Sequence, residues 1–239
     1  MQSLTAGASL SGSEPKSSTF ARLGRLSILI KLARLGLDFV SATLFARLMD
    51  PSDFGVYAIA LSASVILALP GEAGMAQLAI REVARGRVSG DWAGLKGLIH
   101  FANSLVAALS IGVVLIAAIA LHFLSGRIGA RQTLAIASIL GAVVLGSLAN
   151  TRSGILRGFG SAVISQIPEQ LMRPGTMILV ALAAPILGIP PLSPKTTAWL
   201  CVGASAVAFV VGTLLLRRAI KTAFPMDAAG VERRIESRA

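Results

Sequence analysis

Ionisable side chains stand in this sequence where apolar residues surround them on both sides. Lys31, Arg34 and Asp38 interrupt an apolar stretch at 26–49. Their spacing of i, i+3 and i+7 puts them on one helical face, and Ser27 and Ser41 extend that stripe. A second stripe, Gln166, Glu169, Gln170 and Arg173, lies in another apolar stretch. There Glu169 precedes Arg173 by four residues, the favourable order for an ion pair along a helix. Glu72 interrupts a third stretch, and His100, Asn103 and Ser110 make a milder stripe on a fourth. A charge at the centre of a membrane helix costs about 2.5–3.5 kcal/mol, so such groups persist where they face a bundle interior or a wet cavity. The chemistry open to them is the binding of a polar or charged solute.

Two readings of these charges stand side by side. Lys31, Arg34 and Arg173 balance Asp38, Glu72 and Glu169, so the set can be an ion-pair network that holds the bundle together. Alternatively Arg34, Asp38, Glu72, Glu169 and Arg173 face a substrate. Lys31 is close enough to the interface to snorkel, and His100 reads as an interfacial or satisfied residue.

Covalent and metal chemistry have little to work with. Cys201 is the one cysteine and lies inside an apolar run; His100 and His122 are too far apart on one predicted helix to share a metal. The loop acids Asp50, Asp53, Glu82 and Asp91 are isolated, and no Ser/His/Asp set is present. The turn Gly158-Phe159-Gly160 lacks the strand before it and the Lys-Ser/Thr after it that a phosphate-cradling loop requires. No catalytic residue, metal or cofactor is expected, and the chain does not read as an enzyme.

The elements that must position these side chains are membrane helices. The 239 residues are 54% hydrophobic and 14% charged, with a mean hydropathy of +0.77. Soluble domains carry about 25% charged residues, so the surface is one for lipid. A helix needs roughly 20 apolar residues to cross. Six stretches qualify: 26–49, 56–80, 98–124, 132–156, 162–189 and 198–216. A tight turn is expected from Asp50 to Gly55, a polar loop over 81–97 and a non-helical loop over 190–197. The fold class is therefore all-α, a polytopic membrane bundle of about six transmembrane helices. Three regions follow: a disordered cytoplasmic tail (1–20), a six-helix membrane lobe (21–216), and a basic cytoplasmic tail or linker start (217–239).

Fifteen Lys and Arg fall on one side of these stretches and three, Arg127, Arg131 and Lys195, on the other. The positive-inside rule puts both termini in the cytoplasm. With about 1.5 Å rise per residue, Arg34, Glu72, Glu169 and Arg173 then lie roughly 9–15 Å from the cytoplasmic ends of their helices, at one depth. A water-accessible polar cavity open to the cytoplasm is expected there. The net charge of +11 is read as orientation signals and anchors for anionic membrane lipids. With few aromatics, and with most basic residues between the apolar stretches and in the tails, no nucleic-acid partner is expected.

Several stretches carry a family resemblance. The run Ala46-Arg47-Leu48-Met49-Asp50-Pro51-Ser52-Asp53-Phe54-Gly55-Val56-Tyr57 resembles the first periplasmic turn of bacterial polysaccharide and O-antigen flippases, members of the multidrug/oligosaccharidyl-lipid/polysaccharide exporter superfamily. Arg81-Glu82-Val83-Ala84-Arg85 is similar to the basic stretch those proteins carry after their second helix. Leu156-Arg157-Gly158-Phe159-Gly160, leading to Gln166 and Arg173-Pro174, is similar to their fourth-to-fifth helix junction.

The resemblance implies a non-enzymatic transporter of the bacterial inner membrane. Such proteins move an undecaprenyl-diphosphate-linked oligosaccharide, a polysaccharide or lipopolysaccharide precursor, by alternating access of a cationic central cavity. On that view Arg34 and Arg173 meet the diphosphate and sugar acids, and Asp38 orients Arg34. Family members have two related lobes and the spans here match the first, so a truncated product, or pairing with a second lobe or another copy, is expected. Two rivals remain: a cation-coupled exporter of drugs or small solutes with Asp38 or Glu72 as the coupling site, and a non-transporting scaffold of a polysaccharide assembly complex.

Overall fold

The computed structural model describes residues 16–186 and 193–223. Among these the chain is all-α, with seven α-helices: α1 (Lys16–Leu48), α2 (Pro51–Glu72), α3 (Met75–Ser89), α4 (Trp92–Leu124), α5 (Ala130–Gly158), α6 (Arg173–Ile186) and α7 (Pro194–Ala223). A 3₁₀ turn, Ile164–Gln166, and a π turn, Pro168–Met172, run directly into α6. The three together make one continuous crossing. Four helices, α2, α4, α5 and α7, are each long and apolar enough to cross a membrane. The charged α1 and the crossing that ends in α6 complete a bundle of about six.

Helix α5 is the central strut, packed against α2, α3, α4 and α7. Lipid tails are as apolar as Leu, so close approach of small residues, rather than expulsion of water, holds such a bundle. The buried interfaces fit that expectation: Ala60, Ala79, Ala102, Ala135, Ala181 and Ala208 are wholly buried. Gly154 and Gly158 let α3 lie against α5. A Cβ at Gly154 would fall 2.5 Å from the Ala76 carbonyl oxygen, and one at Gly158 would fall 2.6 Å from the Val83 Cβ. Large apolar side chains face outward instead, among them Phe39, Ile66, Ile116 and Leu179.

The core has two apolar ends and a small third cluster, Met75, Ala102 and Val106, where α3 meets α4. At one end, Phe45, Tyr57, Ile139, Met177 and Cys201 pack together. At the other, Val83 of α3 meets Leu95, Ile155, Leu156, Phe159 and Leu216. The first end is fastened by Arg131, whose Nη2 lies 2.7 Å from Asp53 Oδ1 and donates to Oδ2 at 2.9 Å. Asp53 also sits in the first turn of α2, where a negative charge complements the helix dipole.

Four sequence expectations are corrected. The turn from Asp50 to Gly55 shrinks to Met49-Asp50, because Pro51 opens α2 with its preset φ and its missing N–H costs nothing there. The second stretch does not run to 80: α2 stops at Glu72, where Ala73 (φ 43°) and Gly74 (φ 69°) turn left-handed. The loop expected over 81–97 is largely helix. Met75, Ala79 and Val83, at i, i+4 and i+8, bury one face of α3 while Arg81, Arg85 and Arg87 stay exposed. The real turn is Gly90-Asp91, where Asp91 Oδ1 accepts from Gly94 N at 2.9 Å and caps α4. Helix likewise replaces much of the expected 190–197 loop: α7 starts at Pro194, with Ser193 Oγ accepting from Thr196 N at 3.2 Å. Of the proposed tails, 1–15 and 224–239 lie outside the described residues; α1 is described from Lys16 and α7 to Ala223.

Candidate functional site

A polar layer separates the two apolar ends. Its centre is a cavity of about 330 Å³ between α1, α2, α5 and the crossing that ends in α6. Arg34 enters from α1, Glu72 from the last turn of α2, Asn150 and Arg157 from α5, and Glu169 and Arg173 from the fifth crossing. Four of the five candidate residues, Arg34, Glu72, Glu169 and Arg173, therefore share one cavity. The fifth, Asp38, lines an adjoining cavity of about 300 Å³ that also touches Arg34, Glu169 and Arg173. Lys31 is exposed and lines neither.

Proline chemistry shapes the fifth crossing. Pro174 has no N–H to give the Gln170 carbonyl, and the chain widens into the π turn over Pro168–Met172 before α6 resumes. The wider turn carries Glu169 and Gln170 on the cavity side, directly ahead of Arg173.

Each charge has a partner, and the pairings differ in kind. Arg34 Nε lies 3.3 Å from Asp38 Oδ2, one turn further along α1, with both side chains half exposed. Arg173 Nη1 lies 3.8 Å from Glu169 Oε2. Its Nη2 is 3.5 Å from the buried Cys201 Sγ. Glu72 Oε2 accepts from Asn150 Nδ2 at 2.8 Å and makes no ion pair among the described residues. Gln166 Nε2 donates to Ala162 O at 2.9 Å and to Ser27 Oγ at 3.3 Å, tying α1 to the fifth crossing.

The first cavity holds three guanidinium groups, Arg34, Arg157 and Arg173, against two carboxylates, Glu72 and Glu169, an excess of one positive charge. Asp38 in the second cavity restores the balance over the pair. The second cavity is otherwise mostly apolar, with Phe45, Phe54, Leu61 and Met177 in its wall. Gln166 Oε1 and Gln170 Oε1 are buried without a hydrogen-bond partner among the described residues. The layer thus offers cations, anions and spare amide acceptors beside an apolar annex. That suits a ligand with a charged group, hydroxyls and a hydrocarbon part.

Sequence reasoning missed Asn150 and Arg157 here. Both were hidden by hydropathy: Asn150 reads as one polar residue near the end of an apolar run, and Arg157 as part of a loop. The spacing of Gly146, Asn150, Ser153 and Arg157 at i, i+4, i+7 and i+11 was the available signal, since all four line the cavity. Arg152, one of the fifteen cations on the more basic side, is inside α5 and faces elsewhere. It donates from Nε to Asn103 Oδ1 at 3.3 Å, bonds Thr213 Oγ1, and stacks 3.9 Å over the Phe209 ring. The stripe of His100, Asn103 and Ser110 does not reach the cavity: Asn103 serves Arg152, and Ser110 packs beside Gly71.

The fold and this layer define a multi-pass membrane protein with an ion-lined cavity inside its helical bundle. Residues 24–228 match the family described as polysaccharide biosynthesis protein, and the chain belongs to that family. No curated protein and no solved structure matches it.

Proposed function

We propose that this protein moves a polyprenyl-diphosphate-linked oligosaccharide across the bacterial inner membrane, as a transporter and not as an enzyme. The observation that carries the reading is the convergence of Arg34, Glu72, Glu169 and Arg173 from three separate crossings on one cavity. Arg34 and Arg173 meet the diphosphate and any sugar acids. Asp38 and Glu169, each four residues away on the same crossing, keep the two guanidinium groups aimed and balanced. The unpartnered oxygens of Gln166 and Gln170 accept from sugar hydroxyls, since buried acceptors left unpaired are costly. The apolar second cavity receives the first part of the lipid chain.

Orientation follows the charges. Arg81, Arg85 and Arg87 of α3 and Arg217 and Arg218 of α7 gather at one end of the bundle, which the positive-inside rule makes cytoplasmic. In repeat-built transporters the site lies between repeats; a second lobe or another copy closes this one. Glu72 gives some support to a cation-coupled exporter, because its partner, Asn150, is neutral and leaves the carboxylate free to take a proton or cation.

The reading is tested by expressing Arg34→Ala and Arg173→Ala variants in cells that depend on this protein for surface glycan. Loss of surface glycan, build-up of the lipid-linked precursor and normal membrane insertion are expected. Normal glycan in both variants removes the two arginines as substrate contacts.

A further inference from the structure

Arg152 is a cation that the translocation cavity does not use. It lies on the side of α5 away from Gly146, Asn150 and Ser153, between α4, which supplies Asn103, and α7, which supplies Phe209 and Thr213. All four of these residues are partly buried. Among the described residues no carboxylate pairs with Arg152: its polar partners are the neutral Asn103 and Thr213.

A second guanidinium stands beside it. Phe209, Thr213 and Arg217 follow one another at i, i+4 and i+8 on α7, so Arg217 continues the stripe that Arg152 touches. Arg217 thus stands one turn beyond Thr213, which Arg152 bonds. On the facing side of the groove His100 precedes Asn103 by three residues on α4 and is exposed. Two guanidinium groups with no counter-ion among the described residues disfavour the folded chain, and an anion between them removes that cost.

Position selects the anion. Arg152 is six residues before the end of α5 at Gly158, and Arg217 six before the end of α7 at Ala223. Each is about 9 Å from its helix end. At about 45 Å, α7 is longer than the roughly 30 Å hydrocarbon layer, so these residues fall near the headgroup boundary. The surrounding outer faces are apolar: Phe101, Val207, Val210 and Leu214 are exposed. A basic groove between helices at that depth, with apolar walls, has the features of a phospholipid headgroup site. We infer that Arg152 and Arg217 hold the phosphate of an anionic phospholipid in the groove between α4 and α7, on the α3 end of the bundle. This site is separate from the translocation cavity and does not depend on what that cavity carries.

The test is thermal unfolding of the 239-residue chain in an uncharged detergent, followed through Trp92 and Trp199, with short-chain phosphatidylglycerol, short-chain phosphatidylcholine or inorganic phosphate added. Phosphatidylglycerol is expected to raise the midpoint saturably, and the other two are not. Arg152→Gln and Arg217→Gln should each weaken the half-saturating concentration at least tenfold, while Arg218→Gln, on a different face, leaves it within twofold. Arg217 is exposed, so its variant reads the site even where Arg152→Gln fails to fold. Equal shifts with phosphatidylcholine, equal shifts in Arg217→Gln, or no shift at all would overturn the proposal and leave Arg152 as an interhelical strut. A matching shift with inorganic phosphate would make the ligand a free anion and overturn the lipid assignment.

Discussion

Glu72, the last residue of α2, accepts a 2.8 Å hydrogen bond from Asn150 of α5, a residue 78 positions later. The bond joins two crossings at the level where the cavity is widest in charge, and it holds the carboxylate without neutralising it. Asn150→Ala leaves Glu72 without that donor. A loss of about 0.5–1.5 kcal/mol in unfolding free energy is expected, the usual net worth of one hydrogen bond, because Glu72 is only partly buried. Glu72→Gln should reduce the penalty, so a double-mutant cycle by thermal unfolding should return a coupling well above zero.

At the opposite end, Arg131 and Asp53 make a closer pair, and the two partners are unequal. Asp53 is 6% exposed, whereas the Arg131 side chain is 62% exposed. Arg131→Ala strands a buried carboxylate, and a loss of about 1–3 kcal/mol is expected. That is less than the ~3–5 of a wholly buried pair. Arg34→Ala, which breaks a pair exposed on both sides, should cost less stability than Arg131→Ala in the same unfolding assay while costing more transport.

The α3–α5 contact has no room for a methyl group at Gly154, where the obstacle is backbone of Ala76. Gly154→Ala should destabilise by about 1–3 kcal/mol and loosen α3 toward protease. Gly112→Ala on α4 meets nothing within 4 Å and should be neutral or slightly stabilising, as Ala favours helix. Limited proteolysis and unfolding midpoints of the two variants check this.

How far the site could be read from sequence depends on the element that carries each residue. Arg34, Glu169 and Arg173 declared themselves because a regular helix turns spacing into facing, and because charge within apolar runs is conspicuous. The end of α2 did not, since a non-glycine residue, Ala73, takes the left-handed conformation that stops it. The apolar Met75 and Ala79 then read as a continuation of the crossing. Helix α3 reads as a loop because its buried face is a single narrow row, Met75, Ala79 and Val83, so hydropathy averaged over its arginines looks polar. Arg157 and Arg152 sit in the last two turns of α5, where hydropathy falls, yet they point to opposite sides of it. Only three-dimensional placement separates the cation of the cavity from the cation of the outer groove.

Topology has its own check. Single cysteines at Arg85 on α3 and at Ser125 after α4, in a Cys201→Ser background, should label differently with an impermeant thiol reagent added to intact cells. The Ser125 position should react and the Arg85 position should not. Labelling at Arg85 would invert the orientation.

The central claim is that charges from separate crossings share one wet chamber, and accessibility of the side chains measures it most directly. Cysteines placed singly at Arg34, Glu72 and Glu169 are compared with cysteines at Leu35 and Ile66, which face outward, using a small charged methanethiosulfonate reagent on open membranes. Rapid modification at 34, 72 and 169, with little at 35 and 66, is the predicted result. Modification at 34 or 72 no faster than at 35 and 66 would contradict a shared aqueous chamber.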